Sequence, residues 1–193
     1  ERIAAVLENI GYQQASEEDV ADLILVNACS VRQSAIDRIF GQTQKFPKLK
    51  IKNPNLKTIL TGCLLKTDKR KFTGRFDLIL NIKDLPKLPK ILNSKPLIPS
   101  AEDYLKIQPK YQSSFSALVP IMTGWDNFCT FCAVPYTKGR EISRPSEEIL
   151  CEVENLVKKG FKEIWLLGQN VNSYGVLHET DTKLKHETNT KIN

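Results

Sequence analysis

Five cysteines carry most of the reactive chemistry in this 193-residue sequence. Two of them form Cys129-Thr130-Phe131-Cys132, a C-x-x-C pair. Such a pair serves as half of a zinc site, as a thiol–disulfide couple, or as part of an iron–sulfur loop. No second C-x-x-C exists, which argues against a four-cysteine zinc ribbon. A thioredoxin-like pair opens a helix directly after a strand, and Pro135 with Gly139 argue against an immediate helix here. Cys29 and Cys63 each follow a short apolar run, and Cys151 fits no ligand spacing. His178 and His186 lie in a polar tail with no cysteine nearby and no H-x₃-H pair, so no metal role is expected of them. An odd, unevenly spaced set of cysteines does not read as a secreted disulfide framework. It fits a reducing, cytoplasmic compartment.

The elements that must position these residues alternate between strand and helix patterns. Ile3, Val6, Leu7 and Ile10 have helical spacing, and Gly11 is a stop. The continuous run Ala21–Asn27 reads as a strand buried on both faces. Ser30 is placed to cap a helix carrying Val31, Ala35, Ile36 and Ile39. Thr58–Thr61 and Phe76–Leu80 read as two more strands, and the alternation implies a parallel sheet with helices on its faces. Pro96, Pro99 and Pro109 mark a linker. Beyond it, Phe115–Met122 reads as a strand and Ser146 as the cap of a helix with the stripe Ile149, Leu150, Val153, Leu156, Val157, ended by Gly160. Glu163–Leu167 is the following strand. The expected organisation is a domain over 1–93, a linker over 94–112, a second domain over 113–175, and a polar, disordered tail over 176–193.

Composition sets looser bounds. The chain is 26% charged and 41% hydrophobic, with a net charge of +6 that suits an RNA partner. No window holds eighteen consecutive apolar residues, so no membrane span is expected. Glu1–Leu7 reads as the middle of an amphipathic helix without an initiator Met, so the sequence is expected to begin inside a longer protein.

Four segments resemble one known family. The run Val119–Pro145 includes Cys129-Thr130-Phe131-Cys132, Val134-Pro135-Tyr136-Thr137-Lys138-Gly139-Arg140-Glu141 and Ser143-Arg144-Pro145. It is similar to the cluster loop of the radical-SAM methylthiotransferases. Gly168-Gln169-Asn170-Val171-Asn172-Ser173-Tyr174-Gly175 resembles the end of that family's second barrel strand. Asn27-Ala28-Cys29-Ser30-Val31-Arg32 and Thr61-Gly62-Cys63 resemble two of three cysteine motifs in its N-terminal domain. Of the family's branches, one modifies a prenylated adenosine beside the tRNA anticodon. Another modifies a threonylcarbamoyl-adenosine at that place, and a third a ribosomal protein aspartate. The wording of these motifs is most similar to the first.

The resemblance implies an α/β fold: an N-terminal open parallel sheet with flanking helices, then the first βαβ part of a truncated radical-SAM partial barrel. It implies two 4Fe-4S clusters and S-adenosylmethionine (SAM). The SAM cluster takes three thiolates from a C-x₃-C-x₂-C loop, of which Cys129 and Cys132 match the second and third. The first should stand at 125, where this sequence has Trp125, whose indole is a donor only and cannot ligate iron. The expected result is a weak or absent cluster and a chain inactive as written. Cys29 and Cys63 match ligands of the second cluster, whose first cysteine would precede Glu1. Phe131, Gln169 and Asn170 match positions near SAM, and Lys138, Arg140 and Arg144 are candidates for the SAM carboxylate or RNA phosphate. The implied partners are the tRNA anticodon stem-loop and an electron donor such as a flavodoxin or ferredoxin. The alternatives are a noncatalytic RNA- or partner-binding remnant, or a methylthiotransferase of one of the other two branches.

Overall fold

Apolar runs of strand length follow helical segments three times in the first half of the chain, and the fold that results is a parallel sheet with helices on both faces. The computed structural model describes residues 1–94 and 104–175. The tail over 176–193 and residues 95–103 of the linker lie outside the described residues. The chain divides into two units. The first comprises Glu1–Ser114 with Asp126–Gly139, and the second Phe115–Trp125 with the described residues from Arg140 onward.

In the first unit, α1 (Arg2–Asn9) leads to β1 (Leu23–Cys29). Next come α2 (Gln33–Thr43), α3 (Phe46–Lys52), β2 (Lys57–Cys63), α4 (Lys66–Lys71) and β3 (Leu78–Ile79). A 3-10 turn at Ile82–Lys87 and the short α5 (Leu88–Ile91) follow. The strands lie in the order β1-β2-β3, all parallel. One face packs Ala28 and Leu60 against Ile36, Ile39, Phe46, Leu49 and Phe72 from the helices. The other packs Ile59 against Val6, Leu85 and Leu88. The strands are therefore covered on both sides, which is why they read as unbroken apolar runs rather than alternating ones. Phe40, Phe46, Phe72 and Phe76 form a chain of ring contacts with centroids 4.5 to 6.0 Å apart. Ser30 does not cap α2 as expected. The cap position falls to Arg32 without a side-chain bond, because the Ser30 hydroxyl accepts the backbone N–H of Leu65 instead.

In the second unit, β4 (Ser116–Pro120) pairs in parallel with β7 (Glu163–Leu167), and α7 (Ser146–Lys158) makes the crossover. The strand expected over Phe115–Met122 breaks at Ile121, since Pro120 has no N–H with which to extend the ladder. Its remainder becomes β5 (Met122–Thr123), antiparallel to β6 (Ile142–Ser143). The apolar stripe of α7 is narrower than its sequence implies: Ile149 and Leu156 are buried, whereas Leu150 and Val157 are exposed. A sheet of two strands offers no more surface to cover. Leu118, Trp165, Leu166 and Leu167 are exposed as well, and the described strands close no barrel. No described helix is long and apolar enough to cross a membrane.

Two carboxylates tie the first unit together. Asp77 accepts the backbone N–H and the hydroxyl of Thr58, each at 2.8 Å, and an ammonium from Lys50 at 2.5 Å. Burial by itself would raise the Asp77 carboxyl, but the bonds from Lys50 and Thr58 outweigh it and hold it below the ordinary carboxylate value. Asp68 behaves alike: burial opposes ionisation, and Lys71 and Ser30 override it. A lowered folded value contributes stability above the unfolded value near 3.8, and that contribution is lost as pH falls through the lower folded value. Acid titration followed by far-UV circular dichroism should show unfolding in that window. Asp77→Asn should flatten the acid limb while lowering stability at neutral pH.

Candidate functional site

Parallel pairing carries two cysteines to one place. The β1–β2 register runs without a slip from Leu23 opposite Lys57 to Cys29 opposite Cys63. Adjacent strands stand about 4.8 Å apart, so the two thiols end up as neighbours at the carboxyl edge of the sheet. Open α/β sheets bind ligands at this edge. Cys29 is exposed and Cys63 half-buried, and both are free thiols.

Three residues, Gly62, Ser30 and Asp68, build this edge in roles the sequence reading did not give them. Gly62 has φ +120°, and a Cβ there would lie 2.0 Å from the Ala28 carbonyl oxygen. Only glycine lets β1 and β2 stay paired through the residue before Cys63. Ser30 fixes the turn beyond the strands: its N–H donates to the Cys63 carbonyl at 2.9 Å, and its hydroxyl accepts Leu65 N–H at 3.0 Å. The same hydroxyl supports the buried Asp68 carboxylate. The Gly62 signal was present in the Thr61-Gly62-Cys63 wording, whereas the Ser30 and Asp68 roles depend on a long-range turn that local pattern does not encode.

The second cysteine pair lies in the loop Asp126–Gly139 of the first unit. Cys132 N–H donates to the Cys129 carbonyl at 3.1 Å, which closes a four-residue turn. Contrary to the sequence expectation, a helix follows at once. It is α6 (Val134–Lys138), with Pro135 in its first turn, where the missing N–H is no loss, and Gly139 at φ 72° ending it. Phe131 is 95% exposed, and Lys138 is half-buried at the end of α6.

The remaining candidates belong to the second unit. Arg144 is buried and engaged internally, donating to the Pro120 carbonyl at 2.7 Å and pairing with Glu152 at 2.8 Å. Its guanidinium holds β4, β6 and α7 together and is not presented to a ligand. Arg140 and Gln169 are exposed, and Asn170 is half-buried. The Asn170 carbonyl accepts the Ser173 N–H and hydroxyl, and Tyr174 OH donates to the Arg144 carbonyl at 2.9 Å. The Gly168–Gly175 run is thus folded back over β6 by its own bonds. A Cβ on Gly168 would stand 2.6 Å from Met122 Cγ, so any larger residue there would have to displace the Met122 side chain. Trp125 is half-buried, and its Nε1 is buried with no acceptor among the described residues. A buried donor left unpaired costs about 1–3 kcal/mol, so the indole sits poorly where it stands.

Each of these two places brings two thiols, and no group of three or more His, Cys, Asp or Glu able to hold a metal occurs among the described residues. Cys151 stays apart on the exposed side of α7, near Asn155 Nδ2.

Residues 1–81 match the family described as uncharacterized protein family UPF0004. The named relatives are tRNA-2-methylthio-N(6)-dimethylallyladenosine synthases. That of Dictyoglomus thermophilum is 42% identical over 187 residues, covering 91% of this chain and 42% of the relative. That of Carboxydothermus hydrogenoformans is 41% identical over 191 residues, with 91% and 43% covered. That of Clostridium perfringens is 39% identical over 195 residues, with 94% and 44% covered. The chain spans about two fifths of the length of the curated relatives it matches. The resemblance carried by the cysteine motifs therefore extends over nine-tenths of the chain.

Two substitutions test this geometry. Gly62→Ala should destabilise the first unit by at least about 2 kcal/mol in chemical denaturation, because it adds both a clash and a left-handed strain. Arg144→Ala leaves the largely buried Glu152 without its cation and should cost about 3–5 kcal/mol, with Arg144→Ala/Glu152→Ala recovering part of the loss.

Proposed function

We propose that this chain is part of a tRNA methylthiotransferase of the branch that modifies a prenylated adenosine, and that as written it does not assemble its SAM cluster. The observation that carries the reading is the Cys29–Cys63 juxtaposition. Two thiolates held in register at a sheet edge are soft ligands suited to an iron–sulfur centre, which when bound serves electron and sulfur chemistry. The names of the relatives support, as substrate class, a tRNA adenosine carrying a dimethylallyl group. In this reading the chain's own residues do the positioning. Gly62 and Ser30 fix Cys63 beside Cys29, and the Cys129–Cys132 turn presents two further thiolates with Phe131 beside them. The loop lacks a third thiolate, so no radical step is assigned to these residues. SAM, a reducing protein partner and the cytoplasm are what this reading requires.

A second reading is favoured by one residue. Trp125 at the first ligand position suits a noncatalytic protein that keeps the fold and an RNA surface without cluster chemistry. Anaerobic reconstitution with iron and sulfide, read by iron counting and electron paramagnetic resonance, separates the two. The chain should bind far fewer than the about eight irons of two cubane clusters. Trp125→Cys should raise the iron retained, and Cys29→Ser/Cys63→Ser should lower what the unaltered chain holds. No gain from a folded Trp125→Cys protein would overturn the assignment of position 125. Near-full iron and SAM cleavage by the unaltered chain would overturn its inactivity.

A further inference from the structure

Cys129 and Cys132 are both free thiols, and exposure changes between one and the other. Residues 127–131 are exposed, whereas Cys132, Ala133 and Val134 are half-buried and Pro135 is buried. The bond from Cys132 N–H to the Cys129 carbonyl closes a turn, and a turn of this kind holds its first and fourth Cα atoms within about 7 Å. Disulfides span Cα separations of about 4.4–6.8 Å, so this backbone admits one with little movement. The sequence argues against a thiol–disulfide couple because no helix is expected to follow at once. With α6 starting directly behind the turn, Ala133 at its cap position, that objection falls.

The other pair differs. Cys29 and Cys63 stand side by side on paired parallel strands about 4.8 Å apart. The ladder keeps their Cβ atoms near that spacing, beyond the about 3.5–4.5 Å of a disulfide. The cores on both faces of the sheet hold the strands there. An internal disulfide therefore suits the turn and not the strand ends.

We propose that Cys129 and Cys132 form a redox dithiol that exchanges with low-molecular-weight disulfides such as oxidised glutathione. The exposed Cys129 thiolate attacks one sulfur of that disulfide, a Cys129–glutathione bond forms, and one glutathione thiolate leaves. Cys132, turned inward, then attacks the Cys129 sulfur, which closes the Cys129–Cys132 bond and releases the second glutathione. Two electrons pass from the dithiol to the incoming disulfide, and the two thiol protons end on the two glutathione thiols. Excess reduced glutathione runs the exchange backwards. The closed form leaves no thiolate at either position, so oxidation withdraws both from any metal. The exchange goes beyond the methylthiotransferase reading and does not rest on it, since neither iron nor SAM takes part.

The full 193-residue chain tests it, freed of metal by a chelator under anaerobic conditions. It is mixed with oxidised glutathione, quenched by alkylation, and mapped by peptide mass spectrometry. In the unaltered chain the loop peptide should gain an internal disulfide and keep no glutathionyl group. C132S should stop at the mixed disulfide, with one glutathionyl group on Cys129. C129S should form no loop disulfide and react at Cys132 at least about tenfold more slowly. C151S should leave the loop exchange unchanged. Titration across glutathione ratios should show one two-electron transition in the loop peptide, lost in C129S and in C132S. Circular dichroism monitors folding, and C129A or C132A replaces a serine variant that unfolds. A Cys29–Cys63 disulfide formed in place of the loop disulfide would overturn the proposal. So would stable glutathionylation of Cys129 in the unaltered chain, or faster reaction at Cys132 in C129S than at Cys129 in C132S.

Discussion

Parallel pairing of β1 with β2, continued to the last residue of both strands, is the constraint on which the rest of the site depends. Hydrogen-bonded register is discrete, and a slip of one residue exchanges the two faces of a strand. With Ala28 and Leu60 fixed in one core and Ile59 in the other, the register has no freedom left. Cys29 must then oppose Cys63. The juxtaposition of the thiols is therefore set by the hydrophobic core several residues away, with no ligand needed to create it. Gly62 is the local condition for this: the backbone at φ +120° brings it against Ala28 closely enough to exclude any side chain.

Charge is distributed around that frame unequally. Asp77 and Asp68 are used inward, one to lock the start of β2 to the start of β3 through Thr58, the other to brace the turn after Cys63 through Ser30. Lysines of the helices and turns answer these and other acids. Arg32, Lys66 and Lys83, just past the three strand ends, are exposed, as are Lys48, Lys57 and Lys90 elsewhere in the unit.

The long strands were legible because unbroken apolar runs of strand length leave little else to be. β1, β2 and β7 fall within two residues of their expected bounds, and the α/β class follows from their alternation with helices. The short elements were not legible. α3 carries three lysines in seven residues, and its burial rests on Phe46 and Leu49 alone. The helix α6 was masked by Pro135, a breaker inside a helix but harmless in its first turn. Arg144 illustrates a different limit: a cation in a motif loop reads as a ligand contact, and only the fold reveals that Pro120 and Glu152 take up its guanidinium. The cysteines themselves were the most legible part of the site, since their spacing is local. Their approach across strands is a tertiary fact.

Trp125 is where local wording and structure conflict, and the form of the conflict is informative. Its neighbours keep the family's wording on both sides, yet its buried indole N–H finds no acceptor among the described residues. Native interiors rarely leave such a donor orphaned, and a single inconsistent position within an otherwise consistent segment marks a residue its surroundings were not shaped for. The Cys129–Cys132 turn does not share the defect. It is closed by a backbone bond, and α6 behind it is capped by a glycine conformation rather than by any side chain. The two remaining thiolates are thus held by the chain itself, whatever occupies position 125. In the proposed reading, what the tryptophan removes is one ligand from the donor set, not the turn that carries the others.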